Sequence, residues 1–383
     1  MKVSMTAATD AARRARPLPP NRTVGALACG VGVVGMAAVV GVAGPHLAKT
    51  GVTPVAIGGV ACLAAGVVLT IRGARAMLRE RRWWVAVPSI VGLVLLAGVA
   101  LLTVGQGVAA TNVPPTTLGT QTPAAVGLDY RAVEVTTDDG VTLSAWYIPS
   151  ASGAAVVLRH GAGSTRTDVL DHAAVLARHG YGVLMMDARG HGLSGGTAMD
   201  FGWYGDPDLS AGVDLLVAQP GVDADRIGAV GLSMGGEEAI GAASHDPRVR
   251  AVVAEGATTR TPEDKAWMPD AYGLAGTIQQ QLDKVTYAVA DLLTPASPPI
   301  PLRRAAELAA PRAILLIAGG AVEDEPPSAM AIQAGSPETV SVWVIPAAGH
   351  VGGLASQPLE WERRVTGFLD AELGAPGGGP APR

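Results

Sequence analysis

Three long apolar runs occupy the first part of the chain, at residues 23–44, 52–71 and 85–109. Each run holds about the 20 residues that a helix needs to cross a bilayer core, and none carries a charged side chain. The first run alone resembles the apolar part of a signal peptide. Two further runs of similar length favour a three-helix transmembrane region over residues 23–110.

Basic residues are unevenly distributed around these runs. The arm at residues 1–22 and the loop at residues 72–82 each hold five lysines or arginines, whereas the loop between the first two runs offers Lys49 and His46. Because arginine-rich segments stay in the cytoplasm, the arm and the second loop are expected inside and the C-terminal part outside. The sequence therefore predicts a multi-pass protein of the cell membrane whose C-terminal domain is extracytoplasmic.

The pattern changes after the third run. Residues 111–127 are rich in Thr, Pro, Gly and Ala without a helical or strand period, which predicts a linker. The glycine-rich and proline-rich segment at 374–383 predicts a disordered tail. Between them, residues 128–373 have the composition of a folded domain.

Alternating apolar and polar residues on both sides of Asp138-Asp139-Gly140 predict a β-hairpin at the start of this domain. Short apolar runs separated by helix-length segments follow, as is typical of buried parallel strands. These runs lie at 154–158, 181–186, 226–231, 249–254, 313–318 and 340–345. The expected fold class is α/β, with a mainly parallel eight-stranded sheet flanked by helices.

Composition narrows the classes of partner. Hydrophobic residues make up 49% of the chain and charged residues 16%, which suits contact with lipid. The net charge of −5 and the absence of a basic stripe in the second half argue against nucleic acid. Scattered histidines and the lack of a GxxxxGK[ST] phosphate loop predict neither a metal site nor a bound cofactor.

Residues with catalytic potential follow three of the predicted strands. In an open parallel sheet, ligands bind beyond the carboxyl ends of the strands. Ser233 follows the run at 226–231 within the sequence GLSMGG, a cluster of three acids follows 313–318, and His350 follows 340–345. The chain order is therefore serine, acid, histidine.

Residues 128–373 resemble the α/β-hydrolase family in these features. GLSMGG has the G-x-S-x-G form of its nucleophile elbow, HGAG at 160–163 is similar to its oxyanion loop, and DARGHGLSGG at 187–196 is similar to its turn after the fourth strand. The resemblance implies a serine hydrolase of the esterase or peptidase type. It covers the predicted soluble domain and not the three apolar runs.

The resemblance also implies roles for individual residues. A serine hydroxyl needs a base to remove its proton, and the imidazolium formed by that transfer needs a carboxylate on its other nitrogen. Ser233 is the expected nucleophile and His350 the expected base. Among the three consecutive acids, Asp324 is favoured, Glu323 is the alternative, and Glu325, which precedes two prolines, is the least expected.

The two expected oxyanion donors are backbone N–H groups, those of Ala162 in the HGAG loop and of Met234 after Ser233. Met234 would begin a helix, whose positive end favours an anion.

Residues 259–301 are expected to form a small cap after the sixth strand. Five apolar residues within them repeat at helical spacing, which fits a helix on the domain core, a lid over the site, or a helix touching the membrane. These residues are Ile278, Leu282, Val285, Val289 and Leu292.

The expected substrate is a small-molecule or lipid-like acyl compound, with esterase or lipase-like activity favoured. A serine peptidase, or a non-catalytic receptor or scaffold that retains the hydrolase shape, are the alternatives.

Overall fold

The computed structural model describes residues 22–374, so the predicted basic arm and tail lie outside the described residues apart from Arg22 and Gly374. The N-terminal part is a bundle of helices α1 (Arg22–Thr50), α2 (Pro54–Leu78) and α3 (Trp83–Ala100); α3 continues through a π-helical turn (Leu101–Gly105) into α4 (Gln106–Thr111). Within the described residues, three helical spans are long and apolar enough to cross a membrane. The three predicted apolar helices are confirmed, and we call them the apolar bundle.

Small residues allow α1 and α2 to pack with their backbones close together. A Cβ atom on Gly25 would lie 2.9 Å from the carbonyl oxygen of Gly73, and one on Gly32 would lie 2.9 Å from that of Gly66. Without a hydrophobic driving force between helices in lipid, such close van der Waals packing holds membrane helices together.

The domain after the bundle contains one sheet of eight strands within residues 22–374. The strands are β1 (Arg131–Thr136), β2 (Thr142–Ile148), β3 (Ala155–Arg159), β4 (Gly182–Met186), β5 (Ile227–Leu232), β6 (Val249–Glu255), β7 (Ala313–Gly319) and β8 (Val340–Ile345). They lie in the order β1-β2-β4-β3-β5-β6-β7-β8; β2 is antiparallel to its neighbours β1 and β4, and the other pairs are parallel. The predicted α/β-hydrolase fold with a mainly parallel eight-stranded sheet is confirmed.

Helices cover both faces of the sheet and enclose two apolar cores, one on each side. This is why β3, β4 and β5 are buried along their whole length and read as continuous apolar runs. The helices are α5 (Leu170–Arg178), α6 (Gly205–Val217), α7 (Met234–His245), α8 (Met268–Leu293), α9 (Leu302–Ala309), α10 (Glu325–Gln333), α11 (Gly353–Ser356) and α12 (Pro358–Leu373). Short 3₁₀ helices lie at Pro123–Val126, Arg166–Val169 and Pro262–Lys265.

The close packing of α1 on α2 makes a testable prediction. Gly32→Leu would push a side chain into the backbone of α2, and overpacking of this kind costs about 1–3 kcal/mol. Gly35→Leu on the same helix is the matched control, because a Cβ there has no atom within 4 Å. We expect the melting temperature of the detergent-solubilised protein to fall for Gly32→Leu and to stay near wild type for Gly35→Leu. Equal melting temperatures would contradict this account.

Candidate active site

Ser233 lies at a sharp turn between the end of β5 and the start of α7. Its backbone has φ 54° and ψ −122°, a conformation that a residue with a side chain rarely adopts. The flanking glycines make the turn possible. A Cβ on Gly231 would overlap the carbonyl oxygen of Gly235, and one on Gly235 would lie 2.7 Å from the carbonyl oxygen of His160.

A continuous chain of hydrogen bonds connects Ser233, His350 and Glu325. The distance from Ser233 Oγ to His350 Nε2 is 2.9 Å, and that from His350 Nδ1 to Glu325 Oε1 is 2.6 Å. A carboxylate oxygen can only accept, so Nδ1 carries a proton and Nε2 is left to accept the proton of the Ser233 hydroxyl. This arrangement allows proton transfer from the hydroxyl to the imidazole.

Glu325 is the first residue of α10, and its side chain points back to the end of β7. It is 1% exposed, and its other oxygen, Oε2, accepts the N–H of Gly319 at 2.6 Å. The prolines that follow it occupy the first turn of the helix, where a missing N–H costs little. The side chain is thus held by its backbone partner and by the helix start.

The expected contact between Asp324 and His350 is absent, and Glu325 makes it instead. Asp324 is exposed and accepts a hydrogen bond from the Tyr272 hydroxyl at 3.1 Å. Glu323, the alternative, is also exposed. Of the three consecutive acids, the structure buries Glu325, the one least expected. Its longer side chain begins at the helix start and reaches across the strand end to the imidazole.

The carboxylate of Glu325 raises the pKa of His350 above its ordinary value by accepting its Nδ1 proton, and partial burial works in the opposite direction. Two more distant carboxylates, those of Glu237 and Glu255, act in the same direction as Glu325. The imidazole is about half exposed, so substrate can reach it.

The predicted oxyanion donors flank Ser233. Gly161 lies against it, since a Cβ on this glycine would be 3.0 Å from the Ser233 Cβ, and Ala162 is the next residue in that loop. Met234 is the first residue of α7, so its N–H has no partner one turn earlier in the helix. Both N–H groups therefore belong to backbone segments that border the serine.

His160 and His191 hold the two loops beside the serine. His160 Nε2 accepts the N–H of Ala188 at 2.9 Å, and His191 Nε2 accepts the N–H of Gly163 at 3.2 Å. Each Nδ1 lies within 2.9 Å of a backbone carbonyl, so each ring is neutral with its proton on Nδ1. Burial lowers the pKa of both imidazoles, which keeps them neutral.

Glu255 and Gly256, at the end of β6, support His350 in a way that the sequence pattern does not reveal. The buried Glu255 carboxylate accepts the N–H of Gly353 at 2.7 Å and the indole N–H of Trp361 at 2.8 Å. These bonds fix the chain that follows His350. Gly256, with φ 70°, leaves room for the imidazole, because a Cβ there would be 3.0 Å from His350 Cε1.

The apolar bundle meets the domain at this same edge of the sheet. Lys49, near the end of α1, places its ammonium nitrogen 3.3 Å from where a Cβ on Gly163 would stand. The N–H of Gly192 donates to the carbonyl of Thr116 at 2.8 Å, which holds the segment after α4 against the loop of His191. Within residues 22–374, no group of three or more His, Cys, Asp or Glu side chains could hold a metal ion.

Comparison with known proteins gives matches to hydrolases. A family model described as serine aminopeptidase, S33, matches residues 150–301, which include Ser233 but neither Glu325 nor His350. A solved esterase of Pyrococcus furiosus is 28% identical with a TM-score of 0.56, covering 68% of this chain and 98% of that one. An α/β hydrolase from a Penicillium species, 20% identical, has the same fold with a TM-score of 0.51, covering 64% of this chain and 99% of that one.

Two curated relatives match a shorter part of the chain. A thiohydrolase of Aspergillus aculeatus is 36% identical over 131 residues, which is 32% of this chain and 40% of the relative. An uncharacterised protein of Mycobacterium tuberculosis is 33% identical over 120 residues, 30% of this chain and 42% of the relative. The chain thus spans about two fifths of the length of these relatives.

The close approach of Gly256 to the imidazole predicts a large effect of a small substitution. We expect Gly256→Ala to displace the His350 ring, because the added methyl would stand 3.0 Å from Cε1 and the backbone has a positive φ. Hydrolysis of a fluorogenic acetate ester should fall at least tenfold, by roughly 1.4 kcal/mol of barrier. Gly349→Ala is the control, since a Cβ there has no atom within 4 Å. Equal rates for the two variants would refute the role of Gly256.

Proposed function

We propose that this chain, which has the α/β-hydrolase fold, is a membrane-anchored serine hydrolase that cleaves an ester, thioester or amide bond through an acyl-enzyme. The observation that carries the proposal is the hydrogen-bonded chain from the Ser233 hydroxyl through His350 to the buried Glu325 carboxylate. A serine on a strained turn, bonded to a neutral imidazole nitrogen, is a nucleophile with its base already in place. A receptor or scaffold that retained only the hydrolase shape would not require this alignment.

In the first half of the reaction, Ser233 Oγ attacks the carbonyl carbon of the substrate while its proton passes to His350 Nε2. Glu325 stabilises the imidazolium and keeps the ring oriented. The tetrahedral intermediate collapses, the bond to the leaving group breaks, and His350 gives the proton to the departing alcohol, thiol or amine. The acyl group is then bonded to Ser233.

In the second half, water replaces the leaving group. The water oxygen attacks the acyl carbon while His350 accepts a proton from that water. His350 then gives the proton to Ser233 Oγ as the bond from the acyl carbon to Oγ breaks and the acid departs. In both halves the negative charge forms on the former carbonyl oxygen. The N–H groups of Ala162 and Met234 are the proposed donors to it, and one such donor is worth about 10²- to 10³-fold in rate.

Ester or thioester substrates fit the relatives best. The Pyrococcus furiosus protein is named an esterase and the Aspergillus aculeatus protein a thiohydrolase. The family model named for serine aminopeptidases supports peptide cleavage as the second candidate. A panel of acyl esters, acyl thioesters and aminoacyl amides separates the two classes by kcat/KM.

The distribution of charge supports an extracytoplasmic domain. Arginines lie at the end of the apolar bundle where α1 begins and α2 ends, whereas the hydrolase domain meets the other end, beside Lys49. Arginine-rich ends stay in the cytoplasm, so the domain is on the opposite side. The bundle in this proposal anchors the enzyme with its site close to lipid.

A fluorophosphonate probe tests the nucleophile. The probe reacts with a serine only when a base activates it, so wild-type protein should be labelled and Ser233→Ala should not. Ser194→Ala is the control, because this second serine between glycines uses its hydroxyl to donate to the carbonyl of Asp187. Absence of labelling in folded wild-type protein, or labelling of Ser233→Ala, would disprove the proposed function.

Two acid variants and their pH profiles test the role of Glu325. We expect Glu325→Gln to lower kcat roughly 10³- to 10⁴-fold and Asp324→Asn to change it little. Activity should rise with pH as His350 loses its proton. Because Glu325 raises that pKa, the residual activity of Glu325→Gln should rise at lower pH than that of wild type. The reverse ranking of the variants would assign the role to Asp324.

A further inference from the structure

The cap helix α8 turns its apolar side outward. The five regularly spaced apolar residues predicted in this segment do not pack on the domain core. Ile278 is 52% exposed and Leu292 is 84% exposed. We call these five residues the apolar stripe. Its members are Ile278, Leu282, Val285, Val289 and Leu292.

The inward side of α8 joins a small apolar cluster through Tyr287 and also buries polar residues. Asp283 and Thr286 are buried, and Asp283 pairs with Lys265 at 3.1 Å. The hydroxyl of Tyr287, also buried, lies 3.2 Å from that of Thr259. A helix in water normally exposes its polar side, so a second, exposed apolar side on α8 points to an apolar partner outside the domain.

The apolar bundle touches α8 beside the stripe. A Cβ on Gly107 of α4 would lie 2.7 Å from the carbonyl oxygen of Thr286 and 2.9 Å from Val289 Cβ, so the two helices are in backbone contact there. The exposed side chains of Leu101 and Leu102, one turn earlier in the bundle, continue the apolar surface. The stripe is therefore continuous with the exposed apolar surface of the bundle.

The position of this contact along the bundle corresponds to a bilayer boundary. Trp83 and Trp84 begin α3, and tryptophans mark membrane interfaces. From Trp84 to Leu102 a helix rises about 27 Å at 1.5 Å per residue, close to the thickness of the hydrocarbon core. Residues 102–107, where α8 rests, thus reach the opposite interface.

Another side of α8 is polar, with the exposed Lys284 and Asp291 and the half-buried Gln280. An apolar stripe beside a charged side is the pattern of a helix that lies in the plane of a membrane interface. A second copy of the chain would have to compete with lipid for a surface that is continuous with the bundle.

We infer that the apolar stripe of α8 lies in the boundary of the lipid bilayer, and that the site takes an acyl ester or thioester amphiphile from that bilayer. The first part rests on the bundle crossing a membrane and the second on the proposed function. The edge of the domain that holds Ser233 faces the bundle through the contacts of Lys49 and Thr116. Ser233 therefore lies at the edge of the domain nearest to the proposed interface.

Depth-dependent quenching tests the position of the stripe. Full-length protein with Cys29→Ser and Cys62→Ala is labelled with bimane at Ile278→Cys or Leu292→Cys and reconstituted in phosphatidylcholine vesicles. Lipids brominated near the head of the acyl chain should quench both labels strongly and a Lys284→Cys label on the polar side weakly. Equal quenching at the three positions overturns the inference. Cross-linking between copies through the stripe without lipid quenching overturns it in favour of a second copy.

A comparison of two substrates tests the supply of the site from the bilayer. Ile278→Asn with Leu292→Asn should raise KM about tenfold for a long-chain fluorogenic ester held in vesicles, since both large apolar side chains lose their contact with lipid. It should leave kcat/KM for a water-soluble acetate ester unchanged. Lys284→Asn is the control, with no change for either substrate. An equal loss on both substrates overturns the supply route.

The quenching measurement uses no substrate. It is therefore independent of the fluorophosphonate labelling: weak quenching would contradict the position of the stripe, whereas absence of labelling would contradict the proposed nucleophile.

Discussion

The turn between β5 and α7 is the constraint on which the rest of the site depends. It holds Ser233 at a positive φ, and it exists only because Gly231 and Gly235 let two backbone segments come together without side chains between them. The strain of one residue is offset by the buried strands and helices on either side. The turn places the Ser233 hydroxyl beyond the sheet, at the edge where β3, β6, β7 and β8 also end. The other residues of the site are positioned relative to the Ser233 hydroxyl.

Electrostatic surroundings give histidines of one domain different properties. His160 and His191 use both ring nitrogens in bonds to the backbone, and burial keeps them neutral, so they act as fixed braces. His350 faces a carboxylate on one side and a hydroxyl on the other, which favours its charged form and leaves one nitrogen for proton transfer. The partner of each nitrogen, rather than the residue type, decides between structural and chemical roles.

The apolar bundle and the hydrolase domain are joined at the edge that carries the site. Close glycine packing brings α1 and α2 together, and Lys49, near the end of α1, lies beside the HGAG loop. The cap helix then rests on α4 with its apolar stripe outward. In the proposed arrangement a single geometry anchors the protein, seats the cap in the interface and brings the nucleophile near a lipid-borne substrate.

Periodicity and strand ends in the sequence were enough to predict three apolar helices, an α/β fold with a mainly parallel sheet, and Ser233 and His350 at one edge, because these follow from local spacing and from the rule that parallel strands end together. The α/β-hydrolase fold was implied by the resemblance of three motifs to that family. The identity of the carboxylate did not follow. Glu323, Asp324 and Glu325 are neighbours in sequence, but a turn and a helix start aim them in different directions, and only packing selects the one that is buried against His350. The direction of the α8 stripe was undetermined for the same reason: a helical period shows that one side is apolar, and the neighbouring elements decide what that side meets.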